Sequence, residues 1–357
     1  MSEPSAAPAN VLLIRRRYLG DIVLLNPAIR SLRQHWPDAR ITLLCDRGYA
    51  GGAALHGDLD EVLAFPDRVS DWWRLWRRLR HSRFTHVLDF DNRDKTAAIA
   101  WASRAPQRLT FARDHPKFPL RHRWVYTGLA TIDREWHDSH HITEIYQTLV
   151  ARLGVPMAVP PTRFRLRESE VAAMRRLVGG DPSTPKVVVH PGSRSQYRVW
   201  PPQRFAAVCD RLQEVLGVQI FLVGGRGEAA TIEAIRAAAG THLVAITQPL
   251  SVPELTALFA HVDVLLAHDS GPMHLAAGVG TPVVALYGSQ NATIWRPVGA
   301  GHRLLQTALP CPCFPAGTTP TPCVKNDAYF SYCVRQLEVD EVYAAVEATL
   351  AQRSVQR

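Results

Sequence analysis

At 357 residues the chain exceeds one ordinary domain and suits two of about 150 to 180 residues, and a hydrophobic content of 46% can fill two cores. No run of about 18 uncharged apolar residues occurs, which excludes a membrane-spanning helix, and six cysteines without a secretory leader argue against a disulfide scaffold. A formal net charge of +9 favours anionic partners: nucleotides, phosphorylated lipids, a negatively charged membrane face or nucleic acid.

The chain opens with MSEPSAAPAN, which lacks the charged-then-apolar order of a signal peptide and predicts a cytoplasmic protein. NVLLI (Asn10–Ile14) reads as a buried parallel strand. RRRYLGD follows, then IVLLNPAIRSLRQHW, where Leu24, Leu25, Ala28, Ile29 and Leu32 recur at helical spacing. Asp21, beside Gly20, stands at the mouth of that helix. A carboxylate there either complements the helix dipole or serves as a general base at a strand-to-helix turn. Pro27 predicts that the helix starts at Asn26-Pro27, or starts at Asp21 and kinks.

ITLLC (41–45), EVLAF (61–65) and HVLDF (86–90) are further predicted strands with helical stretches between most of them. DWWRLWRRLRHSRF (71–84) places Trp72, Leu75, Trp76 and Leu79 on one helical face amid arginines. This predicts a helix covering a sheet, with membrane-surface docking as a second use. WHDSHHIT (136–143) has His137 and His141 at a spacing conceivable for a metal, but surface or acceptor-contact histidines are the favoured reading. Turn-rich intervals at 154–161 and 179–185 bracket a linker.

The alternation restarts with KVVVH (186–190), QIFLVGG (219–225), HLVAI (242–246), VDVLLA (262–267) and PVVALYG (282–288). Two successive parallel α/β domains facing a cleft result. After VDVLLA, Ser270 sits where an N-cap belongs and Pro272 falls in the first turn. The helix start would present free N–H groups beyond a strand end, where open α/β sheets bind phosphate. Cys311, Cys313, Cys323 and Cys333 occupy a Pro-rich loop. Their spacing fits no standard zinc ribbon, so they read as reduced thiols, with a metal site as the alternative. A helical pattern over 338–350 ends the chain.

Neither a G-x-G-x-x-G after the first strand nor a G-x-x-x-x-G-K-[ST] is present, which argues against nicotinamide enzymes and P-loop kinases. Nothing supports nucleic-acid binding. Four segments in order, RRRYLGDIVLLNPAIRSLRQHWPDARITLL, HPGSRSQYRVWPPQRFAAV, FLVGGRGEAATIEAI and HDSGPMHLAAGVGTPVVALYG, resemble the lipopolysaccharide heptosyltransferases, glycosyltransferase family 9. The resemblance spans roughly residues 10–348. It implies an α/β GT-B fold of two Rossmann-like parallel-sheet domains facing a central cleft. It further implies a cofactor-free, metal-independent, inverting transfer of heptose from ADP-heptose to the lipopolysaccharide inner core, with lipid A–Kdo or a heptosylated core as acceptor. The predicted boundaries are 1–165 for an acceptor-binding domain, 166–337 for a nucleotide-sugar domain and 338–357 for a terminal helix and tail. The expected location is the cytoplasm, peripheral on the inner face of the inner membrane.

By the same resemblance Asp21 matches the general-base position. Asp269, Ser270, Gly271, Pro272, Met273 and His274 match a diphosphate-binding segment, with the N–H groups of Ser270 and Gly271 facing the diphosphate. Ser193 and Arg194 fall in a strand-exit loop where both could meet phosphate. Arg198 matches a cation that offsets leaving-group charge, and Glu228 matches a carboxylate for the nucleotide ribose. Gly20, Arg16 and Arg17 are the acceptor-side candidates. Arg16 and Arg17 depart from the family, which has small hydroxyl residues there. Three adjacent arginines are expected to lower the pKa of Asp21 and to attract a phosphorylated acceptor. The alternatives are another nucleotide-sugar, used for surface polysaccharide or protein glycosylation, and a non-catalytic nucleotide-sugar-binding subunit.

Overall fold

A computed structural model describes residues 9–114, 119–193, 199–288, 290–306 and 334–356. The chain divides into two compact units, Met1–Arg165 and Leu166–Arg357.

The first unit is built on a six-stranded, all-parallel sheet. Its strands are β1 (Asn10–Ile14), β2 (Arg40–Asp46), β3 (Glu61–Phe65), β4 (His86–Asp89), β5 (Gln107–Arg113) and β6 (Gly128–Ile132). Their order is β3-β2-β1-β4-β5-β6. The chain therefore builds outward from β1 in one direction, then reverses and continues from β4. β1 is flanked on both sides, Val11 standing opposite Ile41 of β2 and His86 of β4. That position explains its unbroken apolar run, since a central parallel strand is covered on both faces.

Helices α1 (Leu19–Leu24) and α2 (Asn26–His35) follow β1. Both expectations for Pro27 are met in part. A first helix does contain Asp21, and it breaks at Leu25 because Pro27, lacking an N–H, enters the first turn of a second helix. The remaining helices of this unit are α3 (Ala50–Ala53), α4 (Val69–Ser82), α5 (Asp94–Ala102), α6 (Arg134–Ser139) and α7 (Ile142–Ala151). Leu75 and Leu79 of α4, Ile99 and Ala100 of α5, and Val125 and Tyr126 form one core layer with Leu12 and Ile14 of β1. α2 packs against α7. The chain end of the unit returns to α2, where Asn26 donates to the Arg163 carbonyl (2.9 Å) and accepts from its N–H (2.8 Å).

The second unit repeats the plan with β7 (Lys186–His190), β8 (Gln219–Val223), β9 (Val244–Ile246), β10 (Val264–His268), β11 (Val283–Tyr287) and β12 (Arg303–Gln306), in the order β12-β11-β10-β7-β8-β9. Its helices are α8 (Glu168–Leu177), α9 (Pro202–Leu216), α10 (Ala229–Ala238), α11 (Val252–Phe259), α12 (Gly271–Gly278) and α13 (Ala292–Trp295). A C-terminal helix, Val339–Gln356, packs against α9 and along β10–β12. Its Val342, Tyr343, Val346 and Leu350 join Trp200, Phe205 and the sheet in one core.

Candidate active site

Each sheet has one place where consecutive strands run off in opposite directions: between β1 and β4 in the first unit, and between β7 and β10 in the second. The carboxyl ends of such neighbouring strands splay their loops apart and leave a crevice, the usual ligand site of an open parallel sheet. The candidate residues fall at these two positions.

In the first unit, Asp21 occupies the third position of α1, just beyond β1, and is 8% exposed. Its Oδ2 accepts from the Tyr18 N–H at the helix start (2.9 Å). Its Oδ1 accepts from the Tyr146 hydroxyl (3.1 Å) and from Arg15 Nη2. A carboxylate has about four lone-pair sites, so these three donors fix its plane and leave one site for an incoming proton. Arg15 is the hub. Its Nη1 donates to Asp91 Oδ1 (2.8 Å) and to the Phe90 carbonyl (3.1 Å), tying the exit of β1 to the exit of β4. Burial opposes the charge of Arg15, but the carboxylates of Asp21 and Asp91 outweigh it and hold the guanidinium above its ordinary range. Burial raises the Tyr146 phenol well above its usual value, so it donates as a neutral hydroxyl.

Beside this network lies a shallow pocket whose described lining includes Phe90, Asp91, Asn92, Phe111 and Arg113. Burial pulls Arg113 down to about 10, close to Arg15 of the same sign. Beneath it, Asp89 accepts from the Tyr126 hydroxyl (2.6 Å) and from the N–H groups of Asp91 and Asn92. Burial, then the charge of Asp91, pushes Asp89 up to about 6.

Arg16 and Arg17 do not crowd the proposed base. Arg16 clasps Asp46 with Nε (2.9 Å) and Nη2 (3.2 Å), and Arg17 lies 3.7 Å from the same carboxylate. Asp46 ends β2, and its charge draws both side chains away from α1. The arginine that touches Asp21 is Arg15, one of the three adjacent arginines expected to act on it but not itself picked out as a site residue. Gly20 lies at the second position of α1.

In the second unit, β10 ends at His268 beside His190 of β7. Ser270 occupies the N-cap of α12 with extended backbone, and Pro272 is within the first turn. The Ser270 hydroxyl makes no capping bond; it is buried and unpartnered among the described residues. Ser270 and Gly271 remain partly accessible, whereas Met273 and His274 are packed inside. Met273 Sδ accepts from the Tyr287 hydroxyl at 3.6 Å, so it supports the helix start from beneath. Of this segment, Asp269, Ser270, Gly271 and Pro272 remain partly accessible.

Glu228 is drawn to the same place. Its Oε2 accepts from the Gly225 N–H (2.8 Å). A Cβ on Gly192 would lie 2.3 Å from Glu228 Cγ, and one on Gly224 would lie 2.7 Å from Glu228 Cβ. Both glycines are thus required for the Glu228 side chain to lie across the exit of β7, next to Ser193. Neutral His268 holds that exit from the other side. Its Nε2 accepts from the Trp200 N–H (2.8 Å), and its Nδ1–H points to the Gly192 carbonyl at 3.4 Å. Burial pulls His268 down to about 3, which preserves this donor–acceptor pattern at neutral pH.

Arg194 and Arg198, and the cysteines 311, 313, 323 and 333, lie outside the described residues. Among the described residues no cluster of His, Cys, Asp or Glu suits a metal ion. His137 and His141, expected to be surface or acceptor-contact histidines, are buried, so they do not lie at the surface. The Nδ1 of His137 meets Asp138 at 3.0 Å, and His141 is the N-cap of α7. The reading of α4 also needs correction: Leu75 and Leu79 are its buried stripe and Trp72 packs at the margin, but Trp76 turns outward. Sequence reasoning missed Asp91 and Tyr146, and did not single out Arg15 from its neighbours. The DFDN that closes β4 carried a signal, a carboxylate pair leaving a strand, but its meaning depends on β4 lying beside β1.

Comparison with known proteins bears on this arrangement. The sequence profile of glycosyltransferase family 9 (heptosyltransferase) matches residues 72–322. Lipopolysaccharide heptosyltransferase 3 of Escherichia coli is 26% identical over 293 residues, covering 79% of this chain and 84% of that protein. In structure, a family 9 glycosyl transferase from Veillonella parvula superposes with a TM-score of 0.83 at 20% identity, covering 98% of this chain and 100% of the other. The E. coli ADP-heptose LPS heptosyltransferase II gives 0.78 at 18% identity, covering 97% and 99%. The two parallel-sheet units are those of the GT-B fold.

Proposed function

The chain belongs to glycosyltransferase family 9, the heptosyltransferases of lipopolysaccharide core assembly, and from that premise we propose that it transfers a heptose from ADP-heptose to an inner-core acceptor, lipid A–Kdo or its heptosylated product. Asp21 is the general base. It takes the proton from the acceptor hydroxyl as that oxygen attacks the anomeric carbon from the face opposite the departing ADP, which inverts the configuration. The observation that carries this reading is the clamping of Asp21 at the β1/β4 switch point by Arg15, Tyr146 and the Tyr18 N–H. A positioned base with one open lone pair supplies a rate factor of about 10²–10⁴.

The departing diphosphate gathers negative charge. The N–H groups of Ser270 and Gly271 at the start of α12, the Ser270 hydroxyl, Ser193, and the cations Arg194 and Arg198 offset it. Glu228 accepts from the ribose hydroxyls. Because the acceptor is carried on lipid A, the enzyme works at the cytoplasmic face of the inner membrane.

The deciding measurement is ADP release from ADP-heptose by purified protein, with and without heptose-deficient lipopolysaccharide. Acceptor-dependent release is expected, and Asp21→Asn should lower it about 10²- to 10⁴-fold while ADP still binds. Undiminished turnover in Asp21→Asn would remove the base assignment. Release from a UDP- or GDP-sugar in place of ADP-heptose would support the alternative of a different donor in the same fold.

A further inference from the structure

The helix layer of the first unit has an outward face that the transfer chemistry does not use. The protein has nine tryptophans. Four are conspicuously exposed, and all four lie on this layer: Trp73 (61%) and Trp76 (39%) on α4, Trp101 (52%) on α5, and Trp124 (71%) in the short 3-10 turn that packs on α5. Trp76 and Trp101 bridge the two helices, with ring centroids 6.1 Å apart.

Guanidinium groups are interleaved with these rings. Arg77 lies over Trp73 at 4.8 Å and Arg80 over Trp76 at 5.1 Å. The other two arginines of α4 pair with carboxylates, Arg74 with Asp71 and Arg78 with Glu61. Arg77 and Arg80 make no ion pair among the described residues. Exposing four indole rings costs free energy unless something covers them. A protein–protein interface would want an apolar centre with charge at its rim. Here charge and ring alternate residue by residue, the pattern of an interfacial surface. Indole rings settle at the headgroup level, and arginines reach lipid phosphates.

We propose that this Trp/Arg face of α4 and α5 docks the enzyme on an anionic bilayer surface. The proposal deepens the reading above, since a lipid-borne acceptor is presented at such a surface. The docking itself needs neither donor nor acceptor.

The test is sedimentation of the full chain with vesicles of phosphatidylethanolamine and phosphatidylglycerol, against vesicles of phosphatidylcholine alone. The protein should bind the anionic vesicles, less as salt rises, with a blue shift of tryptophan emission. The double variants Trp73→Ser/Trp76→Ser and Arg77→Glu/Arg80→Glu should each bind at least about tenfold more weakly. Their melting temperatures, and turnover on a lipid-free core oligosaccharide, should match the parent, which separates lost docking from lost folding. Absence of binding by the parent, or equal binding by the variants, overturns the proposal. So does a dimer that the variants dissociate while vesicle binding is unaltered. If the parent binds vesicles yet releases no ADP from ADP-heptose, the docking stands and the donor assignment falls.

Discussion

At the scale of single residues, the proposed base is defined by what holds it. Asp21 could be found from its G-D motif, but its orientation depends on Tyr146, which lies 125 residues away in sequence. Tyr146→Phe keeps the ring, which packs edge-on against Phe90 at 5.3 Å, and deletes one donor to the carboxylate. Its expected phenotype is a kcat fall of about tenfold with ADP affinity unchanged, read by steady-state kinetics beside calorimetry. An equal fall in ADP affinity would show that the change acts through general loosening instead. Arg15 works differently, because removing it would leave both Asp21 and Asp91 buried without their cation. Its loss should therefore cost folding as well as turnover.

At the scale of elements, α12 separates two tasks that an N-cap serine usually combines. Replacing a capping serine by alanine ordinarily costs about 1 kcal/mol. The Ser270 hydroxyl makes no such bond, so Ser270→Ala should leave the melting temperature unchanged or slightly raised while weakening ADP binding. A clear loss of thermal stability would mean the hydroxyl caps after all. The same helix shows what a sequence can reveal. The central strands β1, β2, β7, β8, β10 and β11 declared themselves as unbroken apolar runs because both their faces are covered. β5, β6 and β12 did not: β5 begins in Gln107 and ends in Arg113, β6 opens on Gly128 and is interrupted by Thr131, and β12 is a leucine pair between Arg303 and Gln306. The residues proposed for the donor side were legible because they lie in contiguous motifs around single turns. Arg15–Asp91 was not, because it joins two strand exits 76 residues apart that become neighbours only through the order of the sheet. The outward turn of Trp76 was hidden for a related reason: helical spacing gives a face, but the depth of the layer beneath sets how wide a stripe is buried.

At the scale of the whole molecule, buried histidines set a pH dependence. His56, His86, His137, His190, His261, His268 and His302 are all held below the ordinary imidazole value, with burial the leading cause. Each is more readily protonated in the unfolded chain. Their contribution is complete above about pH 6.5 and is lost as pH falls through the folded values, about 4 for His56 and about 3 for His268. For His56 alone the difference amounts to roughly 3 kcal/mol. The carboxylate pair of Asp89, raised to about 6, and Asp91, raised by burial, has the opposite sign: below these folded values and above 3.8 the folded state holds the extra protons. Seven histidines outweigh it, so the melting temperature should fall steadily from about pH 7 to about pH 4. A flat or rising profile over that range would contradict the burial of these imidazoles. The terminal helix, Val339–Gln356, has a consequence of another kind. The first unit's sheet and core are complete by Arg165, so that half of the polypeptide can fold while the ribosome is still translating the remainder. The second half cannot close its core until the helix Val339–Gln356 has cleared the exit tunnel. While the second half is being made, the nascent chain thus carries a folded first unit tethered to an open one, and apolar surface of the second unit stays exposed through that interval.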